Sequence, residues 1–195
     1  VKKMTTLYLV RHGQTLFNAQ HKIQGFCDSP LTAIGIQQAK IAHAHLQTEK
    51  ITFDEAYSST SERAVDTLEL LTHQPYQRIK NLREWNFGSY EGEGEHLNPP
   101  LPYNDFFVQF GGESQIELEN RISTTVADIV SNSPADSILI VSHGAAIANF
   151  YRHWEHTGTV KKNTKIQNCS FFKYHYQDDQ FVLQDIIEHD FSALL

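Results

Sequence analysis

The sequence predicts an α/β protein: a three-layer α/β/α arrangement with a mostly parallel central sheet and an antiparallel edge strand. Three observations support this. Continuous apolar runs at residues 7–10 and 137–141 have strand length and are typical of central parallel strands covered on both faces. Segments with helical periodicity separate the strand-like runs. From residue 166 onward, two strand-like runs flank residues 177–179, which predicts a hairpin at the sheet edge.

A turn and a long helix are expected after the first strand. Gly13 lets the backbone turn, and a helix is expected to begin near Gln14 and Thr15. Thr32 is the predicted N-cap of a longer helix that ends at about Thr48. The inner face of this helix is predicted to carry small or apolar residues that allow close packing on a sheet: Gly35, Ala39, Ala42 and Leu46.

Two Ser-x-x-Glu patterns, at residues 59–62 and 114–117, are typical of capping boxes and predict two further helix starts. A strand over residues 53–58 precedes the first box, and the helix that follows is expected to reach about Leu71. A shorter helix is predicted after Gly144, directly behind the second apolar run.

The stretch between Gly92 and Gly111 interrupts this alternation of strands and helices. It contains three of the six prolines, and proline breaks regular structure. We interpret residues 92–111 as a lid-like insertion. Four aromatic residues follow the prolines: Tyr103, Phe106, Phe107 and Phe110. Packing in the core explains these residues better than a role in lining a pocket entrance for an apolar group of a ligand.

Length and composition narrow the classes of protein to consider. The 195 residues suit one domain, so we interpret residues 1–195 as a single domain. A hydrophobic content of 40% with 20% charged residues excludes a disordered chain. No apolar run approaches the roughly 18 residues of a membrane span, and residues 1–4 show no signal-peptide pattern. The net charge of −7 argues against nucleic acid or an anionic membrane as partner.

The cysteines and histidines give little evidence of redox or metal chemistry. Cys27 and Cys169 form neither a disulfide framework nor a Cys-x-x-Cys pair, so we expect packed thiols and a cytoplasmic location. The eleven histidines show no spacing typical of a metal site. We therefore expect no metal and no cofactor. The oligomeric state stays open, with a homodimer as one option.

The candidate chemistry lies at the predicted strand ends. Arg11 and His12 follow the first apolar run, and His143 follows the second. Open α/β sheets bind ligands at the carboxyl ends of their strands, and the Gly144 amide at a helix N-terminus favours an anion. Arg63, in the first turn of its helix, can face the same edge, although a pair with an acidic residue of that helix is an alternative. Two guanidinium and two imidazole groups together suit a phosphoryl group. The guanidinium groups can donate bidentate hydrogen bonds to its oxygens, and a neutral imidazole can attack phosphorus.

Five motifs occur in one order along the chain: Arg11-His12-Gly13-Gln14-Thr15, Ser58-Ser59 with Arg63, Leu82-Arg83-Glu84, Gly111-Gly112-Glu113-Ser114 with Arg121, and Ser142-His143-Gly144. Together they resemble the motifs of the histidine phosphatase superfamily, the phosphoglycerate mutase-like proteins. The resemblance implies their fold and a phosphoric monoester hydrolase of the histidine acid phosphatase type that acts on a small phosphorylated metabolite.

The resemblance also implies roles for individual residues. His12 is the expected nucleophile, which becomes phosphorylated, and Glu84 the expected proton donor. Arg11, Arg63 and His143 are expected to hold the phosphoryl oxygens. We expect the arginines to lower the pKa of His12 and keep its ring neutral. Four further residues are expected to contact the substrate: Asn18, Gln24, Gly25 and Gly144. Glu91 and Glu113 are expected to be structural carboxylates.

The choice between hydrolysis and phosphoryl transfer rests on charge. No Lys or Arg occurs between Arg83 and Arg121, whereas eight acidic residues do. A mutase needs basic groups there for the carboxylate and second phosphate of its substrate, so hydrolysis is the favoured interpretation. Two alternatives stay open: a cofactor-dependent phosphoglycerate mutase-type phosphotransferase, and a phosphate-binding protein with negligible turnover.

Overall fold

The computed structural model describes residues 3–194. Six strands form one sheet in the order β3-β2-β4-β1-β5-β6. Their bounds are β1 Thr5–Arg11, β2 Glu55–Ser59, β3 Gln77–Ile79, β4 Ser137–Ser142, β5 Phe171–Gln177 and β6 Gln180–Ile187. β3, β2, β4 and β1 are parallel, whereas β5 is antiparallel to β1 and forms an antiparallel hairpin with the edge strand β6. The predicted fold class is confirmed. The single-domain interpretation stays a prediction, and the sequence pattern at residues 1 and 2 falls outside the described residues.

Five α-helices are present in this part of the chain: α1 Leu16–Ala19, α2 Ala33–Thr48, α3 Glu62–Leu71, α4 Gln115–Ser131 and α5 Gly144–Trp154. Helices α2 and α3 pack on one face of the sheet, and α4 and α5 pack on the other. A hydrophobic core lies on each face of the sheet, and alternate residues of β1 pack into the two cores. Leu7 and Leu9 face α4 and α5, whereas Tyr8 and Val10 face α2 and α3. This is the expected three-layer arrangement.

Two of the three predicted caps are confirmed. Thr32 accepts the N–H of Gly35 at 3.0 Å, at the start of α2. Ser114 and Glu117 form a complete capping box at the start of α4, with reciprocal bonds of 3.1 and 2.7 Å.

The predicted capping box at residues 59–62 is wrong. Ser59 is the last residue of β2, and Ser61 is the N-cap of α3, without a capping bond from its side chain. The Asp28 carboxylate, from a distant loop, accepts the N–H of Glu62 at 2.7 Å instead. β2 continues one residue further than predicted, to Ser59. The Ser59 hydroxyl therefore contacts the Ser61 amide and the His143 ring rather than capping a helix.

The predicted lid segment, residues 92–111, contains two short 3-10 turns, Glu95–Leu97 and Phe106–Phe110. Phe107 is completely buried and stacks edge-on against Trp85 and Phe87. Tyr103 and Phe106 are partly buried against the same core, whereas Phe110 contacts only Tyr90 and Phe106 among the rings described. Core packing is therefore confirmed for Phe107 and in part for Tyr103 and Phe106. A lid function for the segment stays a prediction.

Candidate active site

The residues expected to perform chemistry come together where β1 and β4 end. Arg11 of β1 lies in register with Ser142 of β4, and the next amide, that of His12, donates to the Ser142 carbonyl at 3.2 Å. The rings of His12 and His143 are therefore neighbours, with centroids 5.3 Å apart. Arg63, in the first turn of α3, reaches the same point, because its Nε lies 3.3 Å from Nε2 of His12.

The hydrogen bonds of His12 define its tautomer. Its Nδ1 lies 2.7 Å from the carbonyl oxygen of Gly13, which can only accept, so Nδ1 carries the proton. Nε2 therefore has a free electron pair, which faces the Nε–H of Arg63. Burial lowers the pKa of His12 well below its ordinary value, and the charges of Arg63 and Arg11 lower it further. His12 is thus a neutral imidazole with Nε2 as its nucleophilic atom.

Arg63 is completely buried, and protein oxygens hold its guanidinium in place. Nη2 donates to the carbonyl of Gly25 at 2.7 Å, and Nη1 donates to the carbonyl of Cys27 at 2.8 Å. Nη1 also forms an ion pair of 2.9 Å with Asp28, rather than with an acidic residue of α3. The cation is therefore fixed before any ligand arrives.

Arg11 lies on the other side of the site. Its Nη1 donates to the Ile166 carbonyl at 2.5 Å, and its Nε is buried without a partner among the described residues. A side chain added to Gly144 would lie 3.3 Å from this Nε, so the guanidinium passes close over the start of α5. Burial lowers the pKa of Arg11, but an arginine remains charged in proteins. A buried cationic donor without an acceptor is suited to an anion.

His143 is completely buried and has one unused ring nitrogen. Its Nε2 lies 2.8 Å from Oγ of Ser59, and its Nδ1 is buried with no partner in the part of the chain that the structure describes. Burial lowers the pKa of His143 well below its ordinary value, and the charge of Arg63 contributes in the same direction. Without a bound anion this ring is therefore neutral.

Glu84 binds the first turn of α5. Its Oε2 accepts the amide of Ala145 at 2.8 Å, and its Oε1 accepts the amides of Ala146 and Trp85 at 2.8 and 2.9 Å. Burial raises the pKa of Glu84 above its ordinary value, although the backbone donors and Arg63 oppose that shift. The buried carboxyl group can therefore carry a proton at a higher pH than a surface glutamate.

The four further residues expected to bind substrate differ in what they offer. The N–H of Gly144 has no partner among the described residues. Asn18 accepts the Thr15 amide at 3.1 Å with its side-chain oxygen, which leaves its NH₂ group available. The Gln24 side chain contacts two hydroxyl groups, and the Gly25 amide donates to Glu91 at 2.8 Å. Gln24 and Gly25 therefore support the site in this conformation rather than present free donors.

Several supporting residues were not predicted from the sequence as partners of the site. Asp28 pairs with Arg63, and Ser59 contacts His143. Asn168 donates from its side chain to the His12 carbonyl at 3.0 Å. The motif Ser58-Ser59 is the one sequence signal for this role of Ser59, whose predicted role is that of a helix cap.

Glu91 and Glu113 have the structural roles that we expected. Glu91 accepts the amides of Gly25 and Cys27, both at 2.8 Å, and Glu113 forms an ion pair with Arg121. Glu84 and Glu117 also accept internal hydrogen bonds, and Glu119 pairs with Arg152, so at least five of the eight acidic residues of this tract have internal partners. The tract is therefore less of a solvated negative surface than its composition indicated.

The described residues offer neither a reactive thiol nor a group of metal ligands. Cys27 and Cys169 are free thiols, and burial raises their pKa to about 11 and about 12, respectively. Neither thiol is therefore a ready nucleophile at neutral pH. Within residues 3–194, no three His, Cys, Asp or Glu side chains are grouped so that they could hold a metal ion, and no helix is long and apolar enough to cross a membrane.

This geometry suits one tetrahedral anion. A buried imidazole with a free electron pair lies beside a fixed guanidinium. Among the described residues, Nε of Arg11 and the Gly144 amide are unused donors, and Nδ1 of His143 is a buried nitrogen without a partner. Such an arrangement can bind a phosphoryl group and place a nitrogen nucleophile against phosphorus.

Comparisons with known proteins agree with this chemistry. The chain is 27% identical to a metal-independent phosphoserine phosphatase of Arabidopsis thaliana, in an alignment that covers 93% of this chain and 80% of that protein. It is 28% identical to the uncharacterized phosphatase PhoE of Bacillus subtilis, covering 93% of this chain and 94% of the relative. The crystal structure of a phosphoglycerate mutase from Bacillus anthracis superposes with a TM-score of 0.85 at 26% identity, covering 98% and 95% of the two chains.

The family model of the histidine phosphatase superfamily, branch 1, matches residues 7–188, which include both ends of the sheet and every residue of the site described above. Since this match spans far more than half of the chain, the protein belongs to the histidine phosphatase superfamily.

Proposed function

We propose that this protein is a phosphomonoester hydrolase that acts through a phosphohistidine on His12. The observation that carries the proposal is the neutral His12 ring, whose Nε2 is unprotonated and faces the fixed cation of Arg63. A phosphoryl oxygen would replace Nε2 as the acceptor of the Arg63 Nε–H, and it would also give the unused donors of Arg11 and His143 an acceptor. The relatives named phosphatases support hydrolysis.

In the first step, Nε2 of His12 attacks phosphorus while the bond from phosphorus to the leaving oxygen breaks. Phosphoryl transfer has a loose transition state, so positioned positive charge and alignment supply most of the catalysis. Arg11 and Arg63 provide the charge. Glu84 gives its proton to the leaving oxygen, so the product leaves as an alcohol rather than an alkoxide. Its raised pKa supports this assignment.

In the second step, water attacks the phosphorus of the phosphohistidine. The Glu84 carboxylate takes a proton from this water, the phosphorus–nitrogen bond breaks, and the electron pair returns to Nε2. Glu84 is then protonated again, His12 is neutral again, and inorganic phosphate leaves. The carbonyl of Gly13 holds the proton on Nδ1 throughout, so the ring never needs to rotate.

The substrate proposed is a small phosphorylated metabolite. The mutase-type alternative retains support from the phosphoglycerate mutase that shares the fold. Against it, no Lys or Arg occurs between Arg83 and Arg121 to bind a second anionic group. Hydrolysis is therefore the better account, and residues 92–111 are the segment that we propose as a lid.

Two narrower predictions accompany this proposal. An enzyme of the histidine acid phosphatase type must keep its nucleophile neutral in acid, and the lowered pKa of His12 supports that assignment. A cytoplasmic location is supported by the two free thiols, because a reducing compartment preserves such groups.

The test is to trap the intermediate. Wild-type protein is mixed with a ³²P-labelled aryl phosphate and quenched, and the protein is assayed for label that is stable in alkali and labile in acid. Label and turnover are expected in the wild type and in the control variant His153→Ala, whose histidine is partly exposed on α5. Both are expected to be lost in His12→Ala, with the thermal transition retained.

Each other outcome would count against the proposal. Undiminished turnover in folded His12→Ala would reject the mechanism. Phosphate binding without turnover in the wild type would favour a phosphate-binding protein. Activity that depends on a bisphosphorylated primer would favour the mutase-type reaction.

A further inference from the structure

Ser59 contacts the ring of His143 on the side away from its unused nitrogen. The Ser59 hydroxyl oxygen lies 2.8 Å from Nε2 of His143, and both residues are completely buried. Nδ1 of the same ring has no partner among the described residues. The His143 ring can therefore donate a hydrogen bond to an anion only through Nδ1, and only if Nδ1 carries the proton.

The hydrogen bonds of Ser59 indicate where that proton lies. A serine hydroxyl has one hydrogen to donate and can accept two. Ser59 accepts the backbone N–H of Ser61 at 3.2 Å, and in residues 3–194 its other hydrogen-bond partner is Nε2 of His143. The hydroxyl hydrogen therefore has one acceptor available, and that acceptor is Nε2.

A ring nitrogen that accepts a hydrogen bond cannot carry a proton in the neutral ring, so the proton of neutral His143 must be on Nδ1. The lowered pKa of His143 agrees with a neutral ring without a bound anion. The buried, unused nitrogen is then a donor that lacks an acceptor, in the same place as the unused Nε of Arg11.

We propose that Ser59 is a positioning residue: it holds His143 as the Nδ1–H tautomer and so directs a neutral hydrogen-bond donor at the phosphoryl group. This arrangement provides a hydrogen-bond donor, the Nδ1–H of His143, without adding a third positive charge next to Arg11 and Arg63. The part of the proposal that concerns the phosphoryl group rests on the proposed function, whereas the tautomer itself does not.

The tautomer can be measured directly by NMR of protein with ¹⁵N-labelled histidine rings, since protonated and unprotonated ring nitrogens have distinct chemical shifts. The signals of His143 are identified as those missing from His143→Gln. Wild-type protein without phosphate is expected to show a protonated Nδ1 and an unprotonated Nε2. In Ser59→Ala the proton is expected to move, in part or completely, to Nε2.

The neighbouring serine gives a matched control. Ser58 is also completely buried, but its hydroxyl donates to the carbonyl of Ser59 at 2.8 Å and not to the imidazole. Ser58→Ala is expected to keep the wild-type tautomer. Inorganic phosphate is expected to bind about tenfold more weakly to Ser59→Ala, and within about twofold of wild type to Ser58→Ala.

Two results would overturn the proposal. One is a wild-type spectrum in which Nε2 of His143 carries the proton. The other is a folded Ser59→Ala protein that keeps both the Nδ1–H tautomer and the wild-type phosphate affinity. The NMR measurement on phosphate-free protein needs no turnover, so it separates failure of this proposal from failure of the proposed hydrolase function.

Discussion

Arg63 donates its Nε–H to Nε2 of His12 across 3.3 Å, so a buried cation lies against the electron pair of the candidate nucleophile. This contact explains two properties of the site together. The positive charge opposes protonation of His12, and the same N–H group can turn to a phosphoryl oxygen when a substrate enters. The position of Arg63 therefore controls both the charge of the nucleophile and the binding of the group that it attacks.

Asp28 supports that position, so replacing it should impair the reaction. Asp28→Asn keeps an oxygen near Arg63 but removes the negative charge of the 2.9 Å ion pair. We expect kcat/KM to fall about 10- to 100-fold, because small displacements of a catalytic group are costly. We expect a loss of about 1–3 kcal/mol in the free energy of unfolding, since Arg63 is completely buried. Steady-state kinetics and urea unfolding measure the two effects.

Glu62→Gln is the control for this prediction. Glu62 forms an ion pair of 2.8 Å with Arg78, but both side chains are largely exposed. Its loss should change the free energy of unfolding by no more than about 0.5 kcal/mol and leave kcat/KM unchanged. Equal effects of the two variants would contradict the special role of Asp28.

Glu84→Gln should reveal a proton donor through the leaving group. A glutamine cannot give up a proton, so kcat is expected to fall about 10²- to 10⁴-fold for an alkyl phosphate. An aryl phosphate with an acidic phenol needs little protonation, so a much smaller loss is expected. Glu117→Gln, which changes a carboxylate in the α4 capping box, should show neither effect. A similar loss for both substrates in Glu84→Gln would indicate a structural role for Glu84.

Stability should fall as the pH is lowered below about 6.5, the ordinary pKa of histidine. Burial holds the pKa of His12 and of His143 well below that value in the folded protein, so only the unfolded chain binds these protons. Together they contribute a slope of up to about 2.7 kcal/mol per pH unit in that window. Glu84 acts in the opposite direction, because its raised pKa stabilises the folded state at low pH and this contribution is lost as the pH rises.

The measurement for the pH prediction is a series of thermal or urea unfolding curves between pH 7.5 and pH 5. The matched variant is His12→Gln. It removes one of four histidines whose pKa is lowered in the folded protein, the others being His143, His175 and His189. It should reduce the slope by up to about 1.4 kcal/mol per pH unit. An unchanged slope in this variant would show that the decline at low pH comes from other groups.

Activity should survive treatment with a chelator. Arg11 and Arg63 supply the positive charge that a metal ion would otherwise bring to the phosphoryl group, and Arg63 is already fixed in place. We therefore expect kcat/KM to be unchanged after dialysis against EDTA. Loss of activity that returns on addition of a divalent cation would contradict the proposed mechanism.

The sequence predicted the fold well where the local signal was strong. The apolar runs that became β1 and β4, the Thr32 cap and the final hairpin are all local patterns, and all are confirmed. β3 was missed because it has three residues, lies at the edge and has no buried side chain. The box at residues 59–62 was misinterpreted because Asp28, far away in the sequence, supplies the bond at the start of α3.

The candidate site was predictable in composition but not in detail. The rule that ligands bind at strand ends, together with the ordered motifs, was enough to group Arg11, His12, Arg63 and His143. Apart from the adjacent Gly13 carbonyl at His12, their side-chain partners were not predicted, because these partners come from separate segments. Asp28 is 35 residues from Arg63, and Ser59 is 84 residues from His143. No local pattern records such pairs.

The loop that precedes β5 has a consequence for the order of events during synthesis. The partners of Arg11 and His12 in this loop, the Ile166 carbonyl and the Asn168 side chain, are 155 and 156 residues further along the sequence and are therefore synthesised later. Contacts over such separations form late and slowly. A nascent chain therefore carries its nucleophile before it can hold it in place, and phosphatase activity should appear only after residues 166–168 have been synthesised and have packed against the end of β1.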